Sequence, residues 1–78
     1  MLDLASTQVS DAGTVHLRGI TNLRFLDLGN TRITDACIPT LKSLKQLRGI
    51  SLRDTEITTV GVEELRRSLP NTQIWVTK

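Results

Sequence analysis

Residues 23–44 read LRFLDLGNTRITDACIPTLKSL, and the apolar period changes partway along. In Leu26-Asp27-Leu28-Gly29 apolar residues alternate with others, the two-residue period of a short strand with one buried face. From Asp35 onward the apolar positions are Ile38, Leu41, Leu44 and Leu47. Their three-residue spacing suits a helix or 3₁₀ segment that turns one stripe inward. Thr34 stands where an N-cap belongs, Asp35 places a negative charge at the positive end of the helix, and Pro39 falls in the first turn, where a missing N–H is harmless. The stretch therefore predicts strand, turn, helix and return.

Moving outward, the same unit recurs every 24 residues. Leu2, Leu26, Ile50 and Ile74 form one column, and Leu4, Leu28, Leu52 and Val76 a second. Thr7, Thr31 and Thr55 form a third, followed by Val9, Ile33 and Ile57, then by Ser10, Thr34 and Thr58. Leu17, Leu41 and Leu65 agree, and Gly13, Cys37 and Gly61 keep one position small. An internal period of this length marks a repeat architecture. Strands near 2–4, 25–28, 49–52 and 73–76 should add side by side into a parallel sheet, with helices on the opposite face, giving an arc. The expected central core is Leu26, Leu28, Ile33, Leu41, Leu44, Leu47, Ile50 and Leu52. The threonine after each strand should turn its hydroxyl inward to satisfy backbone groups that the turn would otherwise bury unpaired.

The stretch from Leu23 to Leu44 resembles a leucine-rich repeat of the form L-x-x-L-x-L-x-x-T-x-I-T-D-x-G-L-x-x-L. Thr7, Thr31 and Thr55 match the threonine variant common in bacterial repeat proteins, related to the cysteine-containing class of ubiquitin-ligase receptors. The sequence departs from that pattern at Cys37, where Gly is usual, and at Thr59, where Asp is usual. The resemblance implies an α/β leucine-rich-repeat solenoid: a short right-handed arc with about four parallel strands on its concave face and helices on its convex face. It also implies a general role in binding, without naming a partner. Residues 1–78 form one expected domain of about three repeats. Because Met1 opens directly on a strand rather than a polar cap, the chain reads as part of a longer array.

Composition narrows the class further. Twelve Leu, six Ile and five Val in 78 residues, against one Phe, one Trp and no Tyr, describe a small aliphatic globular domain. No apolar run approaches the roughly 18 residues of a membrane span, and MLDLASTQVSD lacks the pattern of a secretory signal. A net charge of +2, despite a pI near 9.2, is too small to imply a polyanion partner. The lone Cys37 has no internal disulfide partner, which fits a reducing, cytoplasmic setting.

The candidate partner-binding residues follow from strand alternation. Ile74 and Val76 point inward, so Trp75 faces outward in the column of Asp3, Asp27 and Ser51. Phe25, Gly49 and Gln73 form the neighbouring outward column, and Gly29, Arg53 and Thr77 the next. Phe25, Asp27, Ser51, Arg53, Gln73 and Trp75 are thus expected on the open sheet face, with Asp27 and Arg53 between the two aromatics. Exposed Trp and Arg are common energetic anchors of protein interfaces, although Trp75 also reads as a makeshift cap on the last strand. Arg18, Lys42 and Arg66, and likewise Arg24 and Arg48, form a basic ladder. Intervening acids and the absence of interleaved aromatics make it a solvated helix face rather than a nucleic-acid site. Cys37 and His16 occupy different registers of adjacent repeats, too far apart for a catalytic dyad. One Cys and one His cannot assemble a zinc site. No enzyme activity, metal or cofactor is expected.

The expected function is protein–protein interaction through the concave sheet. Two alternatives remain: a self-associating repeat unit, giving a homo-oligomer through the bare N-terminal edge strand, and the recognition arm of a larger enzyme or receptor.

Overall fold

The computed structural model describes residues 1–76. Four short strands form one parallel sheet in sequential order: β1 (Leu2–Asp3), β2 (Phe25–Asp27), β3 (Gly49–Ser51) and β4 (Gln73–Trp75). The 24-residue columns are the register itself. Leu26 pairs with Leu2 and Ile50, and Ile74 pairs with Ile50. Each strand is one residue shorter than the sequence predicts, yet its ladder continues. Leu4, Leu28 and Leu52 donate their N–H groups to Asp27, Ser51 and Trp75 carbonyls at 2.8–2.9 Å.

Three helices follow the strands: α1 (Asp11–Thr14), α2 (Ile38–Lys42) and α3 (Thr59–Ser68). A 3₁₀ turn at Val15–Gly19 extends α1, and another at Asp35–Cys37 precedes α2. Only α3 runs ten residues as a regular α-helix. Its sequence, TVGVEELRRS, carries helix formers from Glu63 to Arg67, whereas the 3₁₀ turn after α1 ends at Gly19.

All eight residues of the expected central core are buried, at 0–2% exposure, and Leu17, Leu23, Cys37, Ile38, Val62, Leu65, Leu69 and Ile74 join them. Leu2, Leu4 and Val9 at one end, and Ile57 and Val76 at the other, are only partly buried. Thr7, Thr31 and Thr55 donate to the carbonyls of Leu4, Leu28 and Leu52 at 2.6, 2.7 and 2.8 Å, but only the Thr31 bond is buried as expected; that of Thr7 is exposed.

The turns between strand and threonine hold a feature the sequence did not announce. Ser6, Asn30 and Asp54, another 24-residue column, adopt left-handed backbone with φ of 55–60°. Asn and Asp tolerate that region better than most residues. The Asp27 and Asp3 carboxylates brace the turns by accepting the N–H groups of Gly29 and Ala5, each at 2.9 Å.

The helix starts also differ from expectation. Thr34 and Thr58 cap through their side chains, accepting from Ala36 and Gly61 N–H, but Ser10 makes no side-chain cap bond. Asp11 and Asp35 do more than place charge at a helix end. Each carboxylate accepts both the N–H and the hydroxyl of the threonine one repeat on: Asp11 from Thr34 at 2.8 and 2.7 Å, Asp35 from Thr58 at 2.8 and 2.5 Å.

Candidate interaction surface

Strand alternation turns Leu26, Ile50 and Ile74 into the core and leaves Phe25, Gly49, Gln73 and Trp75 on the other face of the sheet. Phe25 is 44% exposed and Trp75 37% exposed. Their mutual placement corrects the sequence-based picture, in which Asp27 and Arg53 lay between them. Gly49 is the residue beneath the pair. A Cβ there would stand 2.8 Å from Trp75 Cζ3 and 2.9 Å from both Phe25 Cδ1 and Trp75 Cη2. Gly49 pairs in register with Phe25 and Gln73, so the indole leans diagonally back across β3 toward Phe25. Only a residue without a side chain lets both rings settle on that backbone.

The other expected site residues have more local roles. Asp27 is half-buried and engaged with the Gly29 N–H. Ser51 is half-buried beside Gly29, and exposed Arg53 accepts the Asn30 N–H at its own carbonyl, at 2.7 Å. Gln73 is exposed next to the aromatic pair. Thr77, expected in the Arg53 column, lies outside the described residues.

Arg24 and Arg48 are not on the helices with the other basic residues. They directly precede β2 and β3, where the Arg24 carbonyl accepts the N–H groups of Arg48 and Gly49 at 2.7 and 3.2 Å. With Lys45, Gln46, Leu47 and Asn71 they line a groove of about 550 Å³ at the end of the sheet where β2, β3 and β4 begin. None of the outward strand residues Phe25, Gly49, Gln73 and Trp75 lines this groove. Its signal in the sequence was the Arg24 and Arg48 column, one place before the outward strand column.

Two residues of the basic ladder on the helical side have partners. Lys42 forms an ion pair with Glu64 at 2.8 Å, and Arg18 reaches the Thr40 hydroxyl at 3.4 Å. Cys37 is 1% exposed, and burial, reinforced by the nearby Asp11 carboxylate, pushes its thiol up to about 12. Such a thiol stays protonated and shielded at neutral pH, the opposite of an activated nucleophile. His16 is exposed. Among the described residues no group of three His, Cys, Asp or Glu side chains could hold a metal ion, and no helix is long and apolar enough to cross a membrane.

No protein-family model matches the chain, and neither a curated protein nor a solved structure matches it.

Proposed function

We propose that this chain is a short leucine-rich-repeat arc that binds a protein partner through its open sheet face. The observation that carries the proposal is the Phe25–Trp75 pair, half-exposed over Gly49. A protein with two aromatic residues in 78 has every reason to bury them, and this one spends both on the same surface patch. Aromatic side chains with a neighbouring arginine are the usual high-energy centre of a protein interface. The arc itself is supported by strands that pair at a constant 24-residue offset, the first three each followed by a helix or 3₁₀ turn. Binding needs no cofactor or metal, and the chain acts as a module rather than an enzyme. In a larger receptor or enzyme it would serve as the recognition arm.

Selection of displayed random peptides on the folded chain tests this. Bound sequences should lose most of their affinity when Trp75 or Phe25 is changed to Ala, while the thermal transition stays close to the parent's. Binders indifferent to both substitutions would remove the sheet face as the site.

A second reading is favoured by the partly buried apolar ends of the core, Leu2, Leu4 and Val9 on one side and Ile57 and Val76 on the other. Among the described residues β1 pairs with β2 alone, which leaves its other backbone edge to pair with a second copy. Sedimentation at roughly tens of micromolar decides between the two. A dimer whose Leu2–Leu4 amides are protected supports self-association, and an 8.7 kDa monomer removes it.

A further inference from the structure

We propose that the groove lined by Arg24, Lys45 and Arg48 is a site for a phosphate monoester, the doubly charged phosphate of a small molecule or of a phosphorylated side chain. It is separate from the sheet face, because neither Phe25 nor Trp75 lines it.

Charge is sorted within each 24-residue cycle. The returns from helix to strand, residues 17–26, 41–50 and 65–74, hold seven of the ten Lys and Arg and none of the eight Asp and Glu. The acids stand instead at strand ends, in the turns that follow, at helix starts and within α3. Strand pairing at a constant offset stacks equivalent positions of successive cycles, so this separation along the chain becomes a separation in space. The groove belongs to the basic side.

Arg24 and Arg48 directly precede β2 and β3, which pair in parallel register, so their backbones stand about 4.8 Å apart. Like charges on neighbouring strands repel. Here a third cation, Lys45, lines the same groove, and no carboxylate does. Among the described residues neither guanidinium is in an ion pair, whereas Lys42 is neutralised by Glu64. The Lys45 ammonium donates to the Ser68 carbonyl at 3.1 Å, which fixes its position without cancelling its charge. Both arginine backbones are fixed as well, since the Arg24 carbonyl accepts from Arg48 and Gly49 and the Arg48 carbonyl from Gln73 at 2.8 Å. The fold thus holds a repulsion that a bound anion turns into attraction.

Charge and shape choose the anion. A carboxylate brings one charge and two oxygens, which one guanidinium fork satisfies. A phosphate monoester brings about −1.5 to −2 at pH 7 and three acceptor oxygens, enough for two forks and an ammonium. A nucleic acid strand fits less well. No aromatic ring lines the groove to stack a base, and on the helical side Lys42 and Arg18 are engaged with Glu64 and Thr40.

The test is a titration of the intact chain at constant ionic strength, read by NMR shifts of the Arg24, Arg48 and Asn71 signals. The probes are O-phosphoserine, a short phosphoserine peptide, the same peptide with glutamate, and oligothymidylate. Both phosphoserine probes should shift those signals saturably and bind at least about tenfold more tightly than the glutamate peptide. Tighter binding of the phosphopeptide than of free phosphoserine assigns the phosphate to a side chain, and equal binding assigns it to a small molecule. No group lining the groove titrates between about pH 7.5 and about pH 5.5, so affinity should fall over that range as the phosphate regains its second proton near pH 6. Arg24→Gln/Arg48→Gln should weaken binding at least about tenfold, while Lys42→Gln and Trp75→Ala leave it unchanged. Phosphoserine should also raise the melting temperature of the parent and not of the double variant. Equal binding of the glutamate peptide, or of parent and double variant, would overturn the proposal. So would oligothymidylate that binds more tightly per phosphate than the monoester, because it would make the groove part of a strand-binding track. If the double variant does not fold, Arg48→Gln and Lys45→Gln singly carry the same comparison. Because Trp75→Ala removes the sheet-face site and spares this one, the two readings fail separately.

Discussion

Thr31 shows how much one hydroxyl does in a turn. Its donor bond to the Leu28 carbonyl is buried, that of Thr55 to Leu52 is part-buried, and that of Thr7 to Leu4 is exposed. Valine keeps the shape and removes the donor, so the cost depends on whether water can replace it. Thr31→Val should lower stability by about 1–3 kcal/mol in chemical denaturation, with Thr55→Val smaller and Thr7→Val smallest. Equal losses at the three sites would show that the hydroxyl is not the operative group. Cys37 gives a second prediction. Its thiol is raised from 9.0 to about 12 in the folded state, so between these values the unfolded chain has lost a proton that the native one keeps. Stability from this residue is complete below pH 9 and falls as pH rises toward 12, by at most about 1.4 kcal/mol per pH unit. Melting temperatures from pH 8 upward should fall more steeply for the parent than for Cys37→Ala, and parallel curves would contradict the burial argument.

At the scale of elements, the link between successive repeats is polar as well as apolar. The Asp35 carboxylate holds the Thr58 N–H and hydroxyl, and the Thr58 oxygen in turn accepts from Gly61 at the start of α3. Asp11, Thr34 and Ala36 repeat the relay one unit earlier. Gly61 belongs to the same junction, because a Cβ there would collide with the Asp35 side chain. Gly61 thus makes room for the aspartate that ties its helix start to the previous one, whereas a Cβ at Gly13 would meet only Val9. Asp35→Ala should cost about 1–2 kcal/mol, a moderate value because Thr58 is exposed to water that replaces part of the interaction. Amide exchange should accelerate at Val60, Gly61 and Val62 while Leu26 and Ile50 hardly change. Uniform acceleration would mean that the relay stabilises the whole molecule rather than one helix start.

Across the whole molecule, burial is uneven from end to end. Leu26, Leu28, Ile50 and Leu52 have strand neighbours on both sides and are at most 2% exposed, whereas Leu2, Leu4 and Val9 are only partly covered. Protection from hydrogen exchange follows cooperative packing. Amides of Leu28 and Leu52 should therefore exchange slowest, and that of Leu4 much faster despite its comparable bond to Asp27. A Leu4 amide as slow as that of Leu28 would show that the first repeat unfolds only with the rest.

The repeat length, the strand positions, the inward leucines and isoleucines and the turn threonines were legible in the sequence, because each depends on a short-range period and on what one residue does to its own backbone. The left-handed turn at Ser6, Asn30 and Asp54 was not announced: Asn and Asp tolerate that region, but serine does not signal it. Other features needed coordinates. Asp11 reads alone as a charge at a helix start, and only stacking brings Thr34 within reach of its carboxylate. Alternation set Phe25 and Trp75 outward, but the diagonal lean of an indole across a neighbouring strand is decided by the space above Gly49, which no pattern along one strand contains. Arg24 and Arg48 likewise came to line one groove only when parallel pairing set the starts of their strands side by side. Periodicity fixes which face a residue takes; packing between strands decides which residues on that face meet.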